Sequence, residues 1–209
     1  GSPHQQRVIT IATTPAMGAL LMPGLASALK PTFPQILLHN IAIVDAARQL
    51  DQRQVDLLID THLHSGQAIS HHVLYQDRVQ MYCRAGHPAL DGPQDETTLA
   101  EYEFALLLPE GQRYPTLHRR LQEEMGERRC GFSTFNLMTQ AAMIAGSDML
   151  GLTTERLFAM VSRLWPLQTL DFPSLGGEQI DVALHFNKLS GKEPLLKEII
   201  ETVIRSFKA

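Results

Sequence analysis

The side chains most capable of chemistry in this sequence are four histidines that lie within residues 62–72. They are His62, His64, His71 and His72. Imidazole is a common metal ligand, and two histidines separated by one residue can chelate an ion. Gly66 and Ser70 interrupt the segment, however, and these residue types favour turns. We therefore expect a surface loop here and no metal site.

Asp60 and Cys83 are the two candidates for a catalytic residue. Asp60 ends a strand-like run, where α/β folds place functional groups, but an aspartate there can also cap the following turn. Cys83 precedes Gly86-His87-Pro88, yet cysteine is also a common buried apolar residue. The sequence contains no glycine-rich phosphate loop, no G-x-S-x-G elbow and no H-E-x-x-H motif. We predict no enzyme activity and no cofactor, with a small α/β enzyme using Asp60 or Cys83 as an alternative.

Two predicted helix N-termini are the strongest candidates for a binding site. Thr14 and Pro15 follow a β-branched run and are typical of a helix N-cap and a first helical position. Ser133 or Thr134 is the predicted cap of a second helix that begins near Phe135. Each helix follows a strand, so its free N–H groups lie at the edge where open α/β sheets bind ligands. The pair predicts a site for a carboxylate or another small anion.

Strands and helices alternate along the chain in the order that forms parallel sheets. The first strand covers Arg7–Thr13, and the helix after it contains Pro23, which should bend it, and ends at Pro31. Further strands are predicted at residues 35–40, 55–60, 104–108, 131–134, 149–152, 167–170 and 179–186. Further helices are predicted at residues 44–50, 116–125 and 135–145 and from Pro194 onward. The pattern predicts an α/β chain made of two lobes.

The composition of the chain excludes several classes of protein. Hydrophobic residues make up 44% of the chain, which is enough for a core. The formal net charge is −4, whereas a nucleic-acid-binding surface should be basic, so we expect no direct contact with DNA or RNA. Two cysteines cannot build a disulfide framework or a thiolate zinc site. We expect no membrane span and no signal peptide, and residues 1–4 resemble a remnant of tag cleavage.

Four segments taken together resemble one protein family. The first is Val8–Ala12 followed by Leu20–Pro23, and the second is Val55–Ile59. The third, Gly86–Leu90, is similar to a His-Pro-Leu crossover, and the fourth, Ala145–Leu152, is similar to a glycine-rich segment before a strand. In this order they resemble the C-terminal effector-binding (regulatory) domain of LysR-type bacterial transcriptional regulators. The resemblance covers nearly the whole chain.

The resemblance implies a two-lobe, periplasmic-binding-protein-like (type 2) fold of the α/β class. Each lobe would contain a mainly parallel sheet with flanking helices. Lobe I would comprise residues 7–84 and 178–209, and lobe II residues 89–173. Residues 85–88 and 174–177 would be the crossover hinges. The winged helix-turn-helix that reads DNA in this family is expected to lie on an N-terminal segment that this sequence lacks.

The resemblance also implies an effector site between the lobes. By position its residues are Thr13, Thr14, Met17 and Ile43 in lobe I, and Thr134, Phe135, Asn136 and Thr153 in lobe II. The strand-end position of Asp60 adds that residue to the set. Ile43 stands where many relatives carry serine or threonine, Asp148 replaces a glycine, and Thr153 replaces a proline. We therefore expect a more apolar pocket wall, and an effector that cannot be inferred from any relative.

These observations predict the small-molecule effector-sensing domain of a bacterial, cytoplasmic, DNA-binding transcriptional regulator. The expected partners are a small organic anion, a second copy of the chain that pairs through the first helix, and DNA only through the N-terminal domain. A tetramer is expected for the full-length protein, and no membrane contact is expected. The alternative is an extracytoplasmic solute-binding protein of the same fold, which a secretory leader would support.

Overall fold

The computed structural model describes residues 6–108, 130–171 and 178–208. The chain divides into two compact units. Unit 1 comprises Gly1–Gln76 and Asp181–Ala209, and unit 2 comprises Asp77–Ile180. The chain therefore leaves unit 1 once and returns to it once.

Unit 1 is built on neighbouring strands in the order β2-β1-β3-β9-β4. They are β1 (Arg7–Thr13), β2 (Ile36–Ala42), β3 (Leu57–Asp60), β4 (Ile69–Arg84) and β9 (Gln179–Asn187). β1 is parallel to β2 and β3, whereas β9 is antiparallel to β3. Every residue of β3 is buried, which explains its continuous apolar run.

Three helices belong to unit 1. They are α1 (Pro15–Leu29), α2 (Ala46–Asp51) and α6 (Pro194–Ser206), and a short 3-10 turn covers Ser190–Lys192. α1 continues past Pro23 and ends before Pro31. Pro194 occupies the first position of α6, where its missing N–H has no intrahelical role. α6 buries one apolar stripe, formed by Leu196, Ile199, Ile200 and Val203.

The described part of unit 2 contains the second half of β4 and four further strands. They are β5 (Phe104–Leu107), β6 (Cys130–Thr134), β7 (Gly151–Thr154) and β8 (Leu167–Leu170). β7 and β8 pair antiparallel with β4, β5 pairs parallel with β6, and a parallel bridge joins Phe104 to Leu150. Its helices are α3 (Glu96–Leu99), α4 (Leu137–Ala145) and α5 (Glu155–Val161), with a 3-10 turn at Pro88–Asp91. Its core includes Val79, Met81, Cys83, Phe104, Leu150 and Leu152.

The main error of the sequence prediction concerns β4. The predicted surface loop is wrong for His71 and His72, because both lie on this strand. β4 begins with the buried Ile69, but the polar residues from Ser70 to His72 follow it, so no apolar run marks the start of the strand. Leu74 and Val79 are buried further along. α3 and α5 also have no counterpart among the predicted elements. The predicted helix at 116–125 lies outside the described residues, as do residues 1–4.

The crossings between the units fall inside strands. The chain enters unit 2 between Gln76 and Asp77, within β4, and leaves it between Ile180 and Asp181, within β9. Residues 85–88, the expected first hinge, therefore lie inside unit 2, because β4 continues to Arg84. The expected second hinge, residues 174–177, lies outside the described residues.

Candidate functional site

Three parallel strands of unit 1 end at one edge of their sheet. The register pairs Thr13 of β1 with Ala42 of β2, and Ala12 of β1 with Leu58 of β3, so Asp60 at the end of β3 lies at the same edge. α1 begins at Pro15, two residues after the end of β1. Ligands bind at such strand ends in open α/β sheets. The lobe I residues that the sequence analysis selected are therefore brought to one edge.

Thr13 holds the turn between β1 and α1. Its buried hydroxyl donates to the Thr14 carbonyl at 2.8 Å and accepts from Asn40 Nδ2 at 3.0 Å. The same Nδ2 donates to the Ile11 carbonyl at 2.9 Å. Asn40 and Thr13 thereby tie β2 to the start of α1. Sequence reasoning missed Asn40, because an asparagine in an exposed strand carries no pattern that predicts this contact.

Gly18 lets α1 approach these two side chains. A Cβ atom added at Gly18 would lie 2.5 Å from Asn40 Oδ1 and 2.9 Å from Thr13 Oγ1. Both separations are below the closest contact that a real Cβ tolerates. The close packing of α1 against these two side chains therefore requires a glycine at position 18. No pattern in the sequence pointed to this requirement.

Thr14 is the N-cap of α1, as predicted. Its Oγ1 accepts from the Met17 N–H at 3.3 Å, which leaves the hydroxyl proton available to another acceptor. Pro15 has no N–H, and the Ala16 N–H belongs to the first turn, where helical N–H groups lack carbonyl partners. The start of α1 therefore presents one hydroxyl and one backbone donor.

Met17 and Ile43 form the apolar part of this edge. The Met17 side chain is buried on the inner face of α1. Ile43 is half-buried, its N–H donates to the Thr13 carbonyl at 3.1 Å, and its side chain packs against a core cluster that includes Ala12 and Leu50. These two side chains supply hydrocarbon surface next to the polar turn.

Asp60 is a buried carboxylate, 5% exposed. Oδ1 accepts from the Thr61 N–H at 2.8 Å, and Oδ2 lies 2.8 Å from His64 Nε2. The interpretation that Asp60 caps the turn after its strand is confirmed by the first of these bonds. Both of its oxygens are thus engaged within unit 1.

In unit 2, β5 and β6 run parallel and end beside the start of α4. The predicted cap, Ser133 or Thr134, is wrong: Asn136 caps α4, and its Oδ1 accepts from the N–H groups of Met138 at 2.8 Å and Thr139 at 3.3 Å. Thr134 is the last residue of β6, and its carbonyl accepts a hydrogen bond from the Leu108 N–H. Because its backbone is still part of the strand, Thr134 does not cap the helix.

Thr134 and Phe135 lie between β6 and the capped helix. Thr134 Oγ1 accepts from the Asn136 N–H at 3.2 Å, so its hydroxyl proton, like that of Thr14, can be donated elsewhere. Phe135 is 53% exposed, which is unusual for so large an apolar side chain. The turn therefore offers one donor and one aromatic face.

Thr153 lies near the end of β7, and its residue is only 8% exposed. Its Oγ1 has no hydrogen-bond partner among the residues that the structure describes. Most buried polar groups in proteins are hydrogen-bonded, so an unpaired hydroxyl of this kind is notable. β7 follows Leu150, which pairs parallel with Phe104 of β5, so Thr153 and Thr134 lie toward the same edge of unit 2.

The cysteines and the described histidines do not form a reactive or metal-binding centre. Burial raises the pKa of the Cys83 thiol to about 11, so it stays protonated and is a poor nucleophile. Cys130 is exposed, and both cysteines are free. Within the ranges that the structure describes, no group of three or more His, Cys, Asp or Glu side chains is arranged to hold a metal ion.

None of the described helices combines the length and the hydropathy that a membrane crossing requires.

Comparison with known proteins identifies a family over almost the entire chain. The model of the LysR substrate binding domain matches residues 2–208. The HTH-type transcriptional regulator YbeF of Escherichia coli K12 is 43% identical over 207 residues, a match that covers 99% of this chain. The chain spans 65% of the length of that relative.

Solved structures show the same fold at low sequence identity. The regulatory domain of CrgA, a LysR-type regulator from Neisseria meningitidis, superposes with a TM-score of 0.74 at 13% identity, covering 97% of this chain and 100% of that one. The regulatory domain of MexT, a transcriptional activator in Pseudomonas aeruginosa, gives 0.77 at 12% identity, covering 97% and 99%. The predicted α/β, two-lobe type 2 fold is confirmed by these matches.

The matched family consists of transcription factors and not of enzymes, which agrees with the prediction of no enzyme activity. The chain belongs to the LysR family and is the substrate-binding, or effector-binding regulatory, domain of a LysR-type transcriptional regulator.

Proposed function

We propose that this regulatory domain recognises a small organic anion through the strand-end residues of both units. The proposed contacts are Thr13, Thr14, Met17, Ile43 and Asp60 from unit 1 and Thr134, Phe135, Asn136 and Thr153 from unit 2. The whole protein would convert this binding into a change in transcription through a DNA-binding segment outside this chain.

The observation that carries the proposal is the pair of helix starts at α1 and α4. Each follows a strand end, and the first turn of neither of these two described helices contains an acidic residue. A helix N-terminus carries partial positive charge and unpaired N–H groups, which favours an anion. Thr14 and Thr134 accept a bond from their own turns and keep a proton to donate. Each unit thus contributes a hydroxyl next to a positive helix end.

The remaining residues favour an organic anion over inorganic phosphate. Met17, Ile43 and Phe135 present hydrocarbon beside the donors, and small-molecule sites combine apolar walls with a few polar groups. Thr153 offers a buried hydroxyl for which a ligand oxygen would be a partner. Asp60 is included in the proposal only for its position at the strand edge. Its two carboxylate oxygens are already engaged by Thr61 and His64.

The regulatory step would follow from effector binding at these strand ends. An effector stabilises those states of the protein to which it binds more tightly, by the difference in its affinity for the alternative states. The effector would thereby select one state of the full-length regulator. The cytoplasm is the proposed location, because the regulator must reach DNA.

Self-association is also proposed, with a dimer formed through α1 and a tetramer for the full-length protein. The sequence of α1 has no ionisable side chain. Its outer face consists of small or apolar residues, with Pro15, Ala19, Pro23, Gly24 and Ser27 exposed. An uncharged outer face supports packing against a second copy, because charged residues are depleted from the core of interfaces.

A thermal-shift screen of small organic acids tests the site. We expect at least one acid to raise the Tm of the unmodified chain, because a ligand that binds only the folded state stabilises it. Thr134→Val should remove that shift and leave the Tm without ligand nearly unchanged. Thr169→Val, an exposed threonine on β8, is the matched control and should keep the full shift. An unchanged response of Thr134→Val would overturn the anchoring role of this residue.

A further inference from the structure

A cluster of ionisable side chains in unit 1 lies outside the helix starts discussed above. This histidine cluster consists of Asp60 on β3, His62 and His64 in the segment after it, His71 on β4 and His185 on β9. The ring centroids are 4.9 Å apart for His62 and His64, 5.2 Å for His64 and His185, and 6.1 Å for His71 and His185. The fold has thus added His185, which lies 121 residues from His64 in the chain.

His185 is the centre of the cluster and is fully buried. Its Nε2 accepts from the backbone N–H of His64 at 3.0 Å, so this nitrogen carries no proton. Its Nδ1 lies 3.3 Å from the Leu58 carbonyl, which assigns the ring proton to Nδ1. The imidazole is therefore neutral in the folded chain. A proton on Nε2 would face the His64 N–H and break that bond.

The charged and polar groups that face His185 come from β3, from the segment after it and from β4. β3 contributes the Asp60 carboxylate and the Leu58 carbonyl, which favour protonation, whereas His64 and His71, from the following segment and β4, oppose it when charged. Burial is the largest influence, and together with His64 it lowers the pKa of His185 to about 4. The neutral ring is therefore stable at neutral pH.

The bond to His185 helps to hold residues 61–68 between β3 and β4. The other bonds of this segment include Thr61 N–H to Asp60, Lys188 N–H to the Ala68 carbonyl at 2.8 Å, and a turn from Gly66 to Ile69 at 3.2 Å. The middle of the segment is exposed, so few apolar contacts anchor it there. A single proton at His185 removes the bond that connects the backbone of this segment to β9, whereas the 2.8 Å contact between His64 Nε2 and Asp60 Oδ2 still connects a side chain of the segment to β3.

We propose that the histidine cluster is an acid-sensitive latch that fixes residues 61–68 to β9 at neutral pH and releases them on acidification. Asp60 belongs both to the histidine cluster and to the proposed effector site, whereas neither helix start contributes to the latch. An opened segment exposes His185, which then protonates near the ordinary histidine value of 6.5. His185 has a lower pKa in the closed form than in the open form. The latch is therefore fully closed above pH 6.5 and weakens progressively as the pH falls toward 4.

Amide hydrogen exchange of the intact chain tests the latch. After correction for the intrinsic pH dependence of exchange, we expect protection of residues 61–68 to fall roughly tenfold or more between about pH 7.5 and pH 5. Protection in β1 should change far less, which separates local release from unfolding of the unit. Equal protection of residues 61–68 at both pH values would overturn the proposal.

Three variants assign the effect to named side chains. His185→Gln can keep an acceptor and a donor without titrating, so its segment should stay protected at both pH values. His71→Gln removes the smallest of the influences that lower the pKa of His185, and should narrow the pH range of release only slightly. His72→Gln, the neighbouring exposed histidine outside the cluster, is the control and should behave as the unmodified chain. Should His185→Gln not fold, equal protection of residues 61–68 at both pH values in the His72→Gln variant would still refute the proposal.

Discussion

In unit 1, buried side chains bond to neighbouring side chains at the edge where β1, β2 and β3 end, whereas at the strand ends of unit 2 a buried hydroxyl is left unpaired among the described residues. Thr13 bonds to Asn40 and to the start of α1, and Asp60 bonds to Thr61 and His64. In unit 2 the buried Thr153 hydroxyl has no partner within the described residues. Two regions with similar strand–helix geometry therefore differ in how many hydrogen bonds remain available to a ligand.

This difference suggests a division of roles. An edge whose buried side chains are hydrogen-bonded to neighbouring side chains keeps its shape and offers a preorganised surface, which lowers the entropy lost on binding. An edge with unpaired donors gains more from a ligand that satisfies them, since an unmade buried hydrogen bond is unfavourable. We therefore expect unit 1 to supply rigidity and unit 2 to supply most of the polar discrimination between effectors.

The largest expected effect is the dependence of the stability of unit 1 on pH, which tests the contribution of the hydrogen-bonded, neutral His185. Its pKa is about 4 in the folded chain and 6.5 in an unfolded one, so the unfolded state binds more protons between these values. The contribution of neutral His185 to the free energy of unfolding is therefore fully present above pH 6.5, and about 3 kcal/mol of it is lost as the pH approaches 4. Urea unfolding across this range measures it. His185→Gln should flatten the profile, and an equally steep profile in that variant would assign the acid sensitivity to other groups.

The next effect concerns the tight start of α1. Gly18→Ala should lower the free energy of unfolding by about 2 kcal/mol, because the new Cβ displaces Asn40 and its two hydrogen bonds. Gly24→Ala on the same helix is the matched control, since its Cβ meets no atom within 4 Å. Alanine favours the helix there, so this variant should be neutral or more stable by up to about 1 kcal/mol. Urea midpoints that move equally for both variants would contradict the packing argument.

The smallest effect compares one threonine from each unit. Thr13→Val should destabilise the chain by about 1 kcal/mol, because it removes two hydrogen bonds. Thr153→Val should be neutral or stabilising by about 1 kcal/mol without effector, because it replaces an unpaired hydroxyl by a methyl group of similar size. Thermal unfolding under identical conditions measures both. A loss of stability in both variants would remove the proposed difference between the units.

Local signals in the sequence were sufficient for the elements that frame the site. The β-branched run of β1, the Thr14–Pro15 cap and the terminal helix after Pro194 each have a pattern that short-range physics explains. The cap of α4 lies two residues beyond Thr134, because threonine and asparagine can both accept helical N–H groups and only the backbone decides between them. A preference for residue types therefore does not determine which of two neighbours becomes the cap.

Long-range contacts could not be predicted in this way. His185 joins the histidine cluster only because β9 lies between β3 and β4, and no pattern near His64 points to it. The unpaired state of Thr153 likewise depends on what surrounds it in three dimensions. β4 was missed because polar residues follow its first residue, Ile69, and because buried and exposed residues alternate regularly only from Tyr75 to Met81. The residues that distinguish the two units are thus those that only the fold brings together.

The sequence of α1 has a consequence for how ionic strength acts on the protein. Fifteen consecutive residues without an ionisable group leave nothing on that helix for salt to screen. Association through its outer face would depend on apolar contact, which changes little with moderate salt and strengthens on warming from the cold. DNA binding by a regulator weakens steeply with salt because counterions are released. Salt concentration would therefore separate self-association from DNA binding in the full-length protein, even though both would contribute to the same assembly.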